Sequence, residues 1–128
     1  MTTHDIAAPV LRMQECFNTR QFDRADELHA PDCLNHTLNA TGFEVGKRAW
    51  QTLVGLFPDI RVTAEDVLVD GDKVTVRSSV GGVPIPPGTP QPMLIEIFRI
   101  GNGLITEAWA AGQGMPTPES LIGSPDHT

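Results

Sequence analysis

Apolar side chains recur every three or four positions in the first half of the chain and at alternate positions in the second half. In "IAAPVLRMQECFNTR" Val10, Met13 and Phe17 share one helical face, and Pro9 falls where the first turn of a helix tolerates a missing N–H. A shorter helix is expected from Asp23 as N-cap, with Phe22 as the staple residue before it and Pro31 as the stop after "RADELHA". "CLNHTLN" reads as a short extended segment. In "KRAWQTLVGLF" Trp50, Leu53, Val54 and Phe57 form another buried helical stripe, which Pro58 ends.

Beyond Pro58 the period is 2, which predicts strands. "DIRVTAEDVLV" and "KVTVRSSV" alternate around the turn residues "DGD", so Asp70 and Asp72 read as turn formers rather than as ligands. "MLIEIFRI" and "LITEAWAAGQ" form a second hairpin around "GNG". Between the hairpins "GGVPIPPGTPQP" holds five prolines and three glycines and cannot continue a central strand, so it is expected as a stiff loop. After Gly114 no periodicity remains and the tail is expected to be irregular. Helices followed by antiparallel strands indicate an α+β fold, with helices packed on one face of a curved sheet. One domain over residues 1–128 is expected, its core spanning about 8–114.

Composition narrows the partners. The net charge of −7, from 9 Lys and Arg against 16 Asp and Glu, offers no basic stripe for nucleic acid. No stretch approaches a membrane span and "MTTHDIAAPVLRMQECF" does not resemble a signal peptide, so a cytoplasmic protein is expected. Cys16 and Cys33 are then expected as reduced thiols, more readily core residues than a disulfide. His4, His29, His36 and His127 are scattered without metal-ligand spacing, and neither metal nor cofactor is called for.

The candidate chemistry lies near the strands. Strict alternation puts Ile105, Glu107, Trp109, Ala111 and Gln113 on one face, expected to look inward. Trp109 is then either a core aromatic or a pocket wall. Gln113 would need partners for its amide, from a pocket ligand or a hydrogen-bond network. Glu96 alternates with Phe98 and Ile100, and Arg99 with Ile95 and Ile97, so one of the two charges shares a covered face. A buried Glu96 would have a raised pKa and could act as a base; the alternative is a cross-strand ion pair on the outer face, an ambiguity Arg77 shares. Trp50, Leu53, Phe57 and Met93 are expected to form an apolar wall common to core and pocket. An unperturbed imidazole changes charge near the working pH, so His36 is the first choice as acid/base group, with Asn35 and Asp32 close by; the alternative is a partly exposed residue at a strand end.

"FDRADELHAPDCLNH" (22–36), "FPDIRVTAEDVLVDGDKVTVR" (57–77) and "IEIFRIGNGLITEAW" (95–109), in that order, resemble the SnoaL-like polyketide cyclases of the nuclear transport factor 2-like superfamily. The resemblance implies a cone-shaped fold of a curved, mixed, mainly antiparallel sheet with helices on its concave face. It also implies a pocket between helices and sheet and a homodimer formed through the outer sheet face. The implied activity is a cofactor-free intramolecular aldol ring closure on a small hydrophobic polyketide-type substrate in secondary metabolism, such as antibiotic biosynthesis. The acid/base Asp that the family usually carries after its E-x-W pair falls on Gln113, and an amide has no useful pKa. Gln113 is therefore expected to steady an enolate by donating a hydrogen bond, with His36 moving the proton. His36 is also where family members often carry a pocket residue. Two alternatives stand beside ring closure: a related hydroxylation or epoxide opening, and a noncatalytic ligand-binding module that has lost the family acid.

Overall fold

The computed structural model describes residues 3–114. The elements are α1 (Thr3–Asn18), α2 (Phe22–Asp26), β1 (His29–Asn35), β2 (Ala40–Thr41), α3 (Glu44–Leu56), β3 (Arg61–Asp70), β4 (Lys73–Gly81), β5 (Met93–Gly101) and β6 (Leu104–Gln113). The strands form one sheet in the order β2-β1-β6-β5-β4-β3, with β1 and β6 parallel and the other neighbours antiparallel. Helices against one face of this curved mixed sheet make the α+β fold that the pattern predicts and the cone that the resemblance implies. The expectation for the tail after Gly114 lies outside the described residues.

Val10, Met13 and Phe17 are buried on α1, and with Val74, Val76, Val80, Phe98, Ile100 and Ile105 they fill the space between helix and sheet. Pro9 is not in the first turn of its helix. Thr3 begins α1 and Asp5 favours its N-terminal end, so the buried Pro9 lies a turn further in. Asp23 does not cap α2: Gln21 holds the cap position without a side-chain bond, and Asp23 falls inside the first turn. Nor does α2 run on to Pro31. It ends at Asp26, and the Ala25 carbonyl accepts from the His29 ring at 2.7 Å, a common way to satisfy the last carbonyls of a helix.

α1 is fastened to the far edge of the sheet by polar groups. Asn18 donates from Nδ2 to the Val62 carbonyl at 2.8 Å and accepts the Val62 N–H at 2.9 Å, so it stands in for a neighbouring strand along β3. Arg20 spans the next segment, donating to the Phe17, Pro58 and Ile60 carbonyls. Asn18→Ala leaves both Val62 groups unpaired and is expected to lower stability by about 2 kcal/mol, measured by urea unfolding. Asn18→Asp, which cannot donate, should fall close to it.

β-Bulges in β3 and in the second hairpin decide which side chains of those strands face the helices. In β3, Ala64 pairs with Ser78 and Asp66 with Arg77, so Glu65 is extra and the inward set changes from Val62 and Ala64 to Val67 and Val69. In the second hairpin Ile100 pairs with Ile105 and Arg99 with Glu107, so Thr106 is extra; its hydroxyl donates to the Arg99 carbonyl at 3.1 Å. The adjoining turn takes positive φ at Asn102 (52°) and Gly103 (77°), the primed geometry that suits a two-residue hairpin.

Candidate active site

The bulge at Thr106 reverses the expected phase of β6. Ile105 points into the core, but beyond Thr106 the inward positions are Ala108 and Ala110, opposite Phe98 and Glu96. Glu107, Trp109, Ala111 and Gln113 instead share the convex face with Arg99, Ile97, Ile95 and Met93. The expectation that Trp109 and Gln113 face inward is therefore corrected: one extra residue moves every later side chain to the other side of the sheet. Gln113 is exposed and borders no interior cavity, and Met93, opposite it, faces the same way.

His36 belongs to that outer face as well. Its backbone N–H donates to the Ala108 carbonyl, and its ring stacks on Trp109 with centroids 4.7 Å apart and planes inclined by 10°. Nε2–H donates to Glu107 Oε2 at 2.8 Å; the other oxygen accepts from Arg99 Nε at 2.8 Å, and Arg99 reaches on to Asp72 at 2.9 Å. The bonds from His36 and then Arg99 hold the Glu107 carboxyl below the usual carboxylate range. Trp109 touches the rim of the cavity described below, but its indole is held by His36 on one side and has the Lys73 ammonium 5.8 Å from its centroid. Arg77 pairs across strands with Asp66, also outside. The geometry thus brings His36, Trp109 and Glu107 together, away from the concave face, and separates His36 from Gln113.

Behind the concave face, between α1, α3 and the sheet, lies a cavity of about 240 Å³. A smaller one of about 80 Å³ shares Met13, Trp50, Leu53, Leu94 and Glu96 with it. β5 has no bulge between Met93 and Arg99, so Leu94, Glu96 and Phe98 must all point inward. Glu96 is consequently the charge on the covered face, and Arg99 the one outside. No carboxyl other than Glu96, and no Lys or Arg, lines either cavity among the described residues. Glu96 has no hydrogen bond or ion pair to another described residue, and the accessibility it keeps is toward the cavities. Burial alone pushes its pKa up to about 7, from the usual value near 4.5.

Trp50 is the organising aromatic of the walls. Its ring meets Phe17, Phe22 and Phe43 edge to face at 5.1, 6.0 and 5.0 Å, which fixes the indole against both cavities. Phe57 packs in the adjoining core cluster and lines neither cavity. Asn35 borders the larger cavity, with its Oδ1 taken by the Leu38 N–H at 3.0 Å. Cys16 and Cys33 are both free thiols, and Cys33 is buried in the wall. A wider groove of about 470 Å³ between α1 and α2 alternates Arg12 and Arg24 with Glu15 and Glu27, so it presents no net charge to a ligand.

Polar residues not singled out from the sequence include two that line the cavities and one that is fully buried. His29 lines the larger cavity and Gln14 the smaller, while Ser78, fully buried, accepts from Gln14 Nε2 at 2.8 Å. Gln14 follows Met13 on the helical stripe, a signal that could have marked it as covered. His29 carried only the weaker signal of following a helix end, where histidine often bonds a last carbonyl.

The curved mixed sheet with helices packed on one face, closing an apolar pocket, is the α+β cone of the nuclear transport factor 2-like superfamily. The sequence pattern of the SnoaL-like polyketide cyclases matches residues 8–119, and the chain belongs to that family, which gives it a polyketide cyclase-like role. Among solved structures it is similar to a candidate polyketide cyclase from Bacillus cereus. The two are 26% identical with a TM-score of 0.76, over 92% of this chain and 80% of that one. It is also similar to wild-type IdmH, a candidate polyketide cyclase from Streptomyces antibioticus, at 26% identity and a TM-score of 0.70 over 84% and 91% of the two chains. Comparison with curated proteins gave no match. No described helix is long and apolar enough to cross a membrane.

Proposed function

We propose that this chain is a cofactor-independent enzyme that closes a ring of a polyketide-derived substrate by intramolecular aldol addition, with Glu96 as the acid/base group. The observation that supports this is one carboxyl, at the wall shared by two apolar cavities, whose pKa lies near neutrality. Such a group is half ionised at working pH and can both take and return a proton. As carboxylate, Glu96 removes a proton from the carbon next to a substrate carbonyl. The resulting enolate carbon bonds to a second carbonyl carbon of the same chain, whose oxygen receives the electron pair. The protonated Glu96 then returns its proton to that oxygen, so no co-reactant is consumed. Trp50, Leu53 and Phe98 hold the chain folded, and orientation of this kind can contribute several kcal/mol.

The test needs only the proton-transfer half. α-Deuteration of 2-acetylnaphthalene in D2O, followed by NMR, should be accelerated by the wild type and by His36→Ala and Gln113→Ala within about threefold of it, and be lost in Glu96→Gln. Equal rates in Glu96→Gln and wild type would sink the assignment. Binding of the ketone without acceleration in the wild type would favour a noncatalytic binding module.

We further propose that two copies pair through the convex face. Leu68 and Ile97, exposed at 66% and 37%, lie in one cross-strand row with Thr75 and Trp109, and Ile95 is exposed at 40% beside it. Apolar rows of this kind on a sheet surface favour association. Sedimentation equilibrium should show a dimer for the wild type and a monomer for Leu68→Glu/Ile97→Glu. The net charge of −7 argues against nucleic acid as a partner, and the two free thiols suit the cytoplasm.

A further inference from the structure

We propose that His29 is a substrate-positioning residue whose Nε2 accepts a hydrogen bond from a hydroxyl of the bound molecule, so that the cavity selects a phenol-like or enol-like substrate. This assignment rests on the cavity being the substrate site proposed above. A carbonyl oxygen only accepts, so the 2.7 Å contact between Nδ1 and the Ala25 oxygen places the ring proton on Nδ1. In the neutral ring Nε2 then carries a lone pair and no proton. Burial lowers the pKa of the imidazole, which keeps this tautomer at working pH.

The ring cannot readily turn. Phe43 stacks on it with centroids 4.1 Å apart and planes inclined by 14°, and a flip would also forfeit the bond to Ala25. The free edge remains: His29 borders the 240 Å³ cavity, and Nε2 has no hydrogen-bond partner among the described residues. The other polar wall groups are occupied or of another kind. Asn35 Oδ1 accepts from Leu38, and the Thr37 hydroxyl is engaged by both the N–H and the carbonyl of Ala110. Among the described side chains that line this cavity, His29 Nε2 and the Glu96 carboxyl are the acceptors with no protein partner. A ligand hydroxyl can bond this free acceptor from inside the cavity, and a site built to bond a hydroxyl rejects the analogue that lacks it.

The experiment compares 2-naphthol with naphthalene by fluorescence titration at pH 7. Wild type should bind 2-naphthol at least tenfold more tightly. His29→Asn keeps an amide N–H for the Ala25 carbonyl but is too short to reach the cavity, and it should abolish the preference. His29→Gln extends an amide oxygen toward the position of Nε2 and should retain it, as should Glu96→Leu. In 15N NMR, 2-naphthol should shift the Nε2 resonance of a ring protonated on Nδ1. Equal binding of the two aromatics, or a preference unchanged in His29→Asn, overturns the role of His29 alone. So does a preference lost in Glu96→Leu and kept in His29→Asn, which makes Glu96 the acceptor. Binding of neither aromatic overturns the reading of the cavity as a substrate site.

Discussion

Glu96→Gln is expected to lower the rate of proton abstraction by about 10²- to 10³-fold while making the protein more stable at pH 8, a combination that a merely structural residue does not give. Both halves follow from one cause. The carboxyl is taken out of water without a partner, which disfavours its charged form and raises its pKa to about 7. In the unfolded chain the same group ionises near 4.5, so between these values the folded protein holds a proton that the unfolded chain has released. Stability is therefore fully present below about pH 4.5, falls as pH rises through about 7, and stays reduced above it. The full penalty is at most about 3 kcal/mol, and less to the extent that cavity water solvates the carboxylate. Gln carries no charge and removes that dependence, so thermal melts of variant and wild type should converge near pH 4.5 and separate near pH 8. Activity runs in the opposite direction: the rate should rise through about pH 7 as the carboxylate forms. A wild-type rate that falls over that interval would contradict the assignment of Glu96 as base.

Gly82→Ala should be among the most damaging single changes to the fold, with an expected loss above about 3 kcal/mol. Gly82 has φ of 75°, and a Cβ there would lie 1.9 Å from the Asp59 carbonyl oxygen, 2.3 Å from its carbon and 2.8 Å from the Ile60 nitrogen. These are backbone atoms and cannot rotate away. They are also anchored: Ile60 is 1% exposed against Phe17 and Val80, and Arg20 binds the Pro58 and Ile60 carbonyls at 2.8 Å. Close approach at Gly82 thus lets the segment before β3 pack against the end of β4. Gly88 supplies the control. Its φ is 82°, but nothing lies within 4 Å of a Cβ, so Gly88→Ala should cost only about 1 kcal/mol. Urea unfolding of the two variants measures the contrast, and equal midpoints would refute the steric account.

The elements were legible in the sequence because hydrophobic period is a local property. Val10, Met13 and Phe17 on α1, and the alternation through "KVTVRSSV" and "MLIEIFRI", predict the helices and strands that form. The placement of Glu96 was legible as far as alternation goes: it shares a face with Phe98, and β5 keeps that phase. The candidate site was legible only in part, and the failures on β6 have one origin. "LITEAWAAGQ" reads as unbroken alternation, yet the sheet accommodates Thr106 as an extra residue, and everything after it changes sides. His36 followed the same face, because its backbone pairs beside β6 and its ring then meets Trp109 and Glu107. Element boundaries near Pro9 and Asp23 moved for a similar reason, since where a helix starts and ends depends on what its terminal groups find around them.

By itself, then, the sequence determined the α+β class, the order of elements, the apolar stripe of each helix and the inward phase of β5. These rest on side-chain period and turn chemistry, which act over a few residues. The tertiary structure decided which of the charged and polar groups share a cavity: Glu96 and His29 inside, Trp109 at the rim, His36 and Gln113 out. That choice turns on a one-residue bulge, on a helix that ends early enough to bond His29, and on the depth at which a carboxyl loses its water. Each depends on partners far apart in the chain.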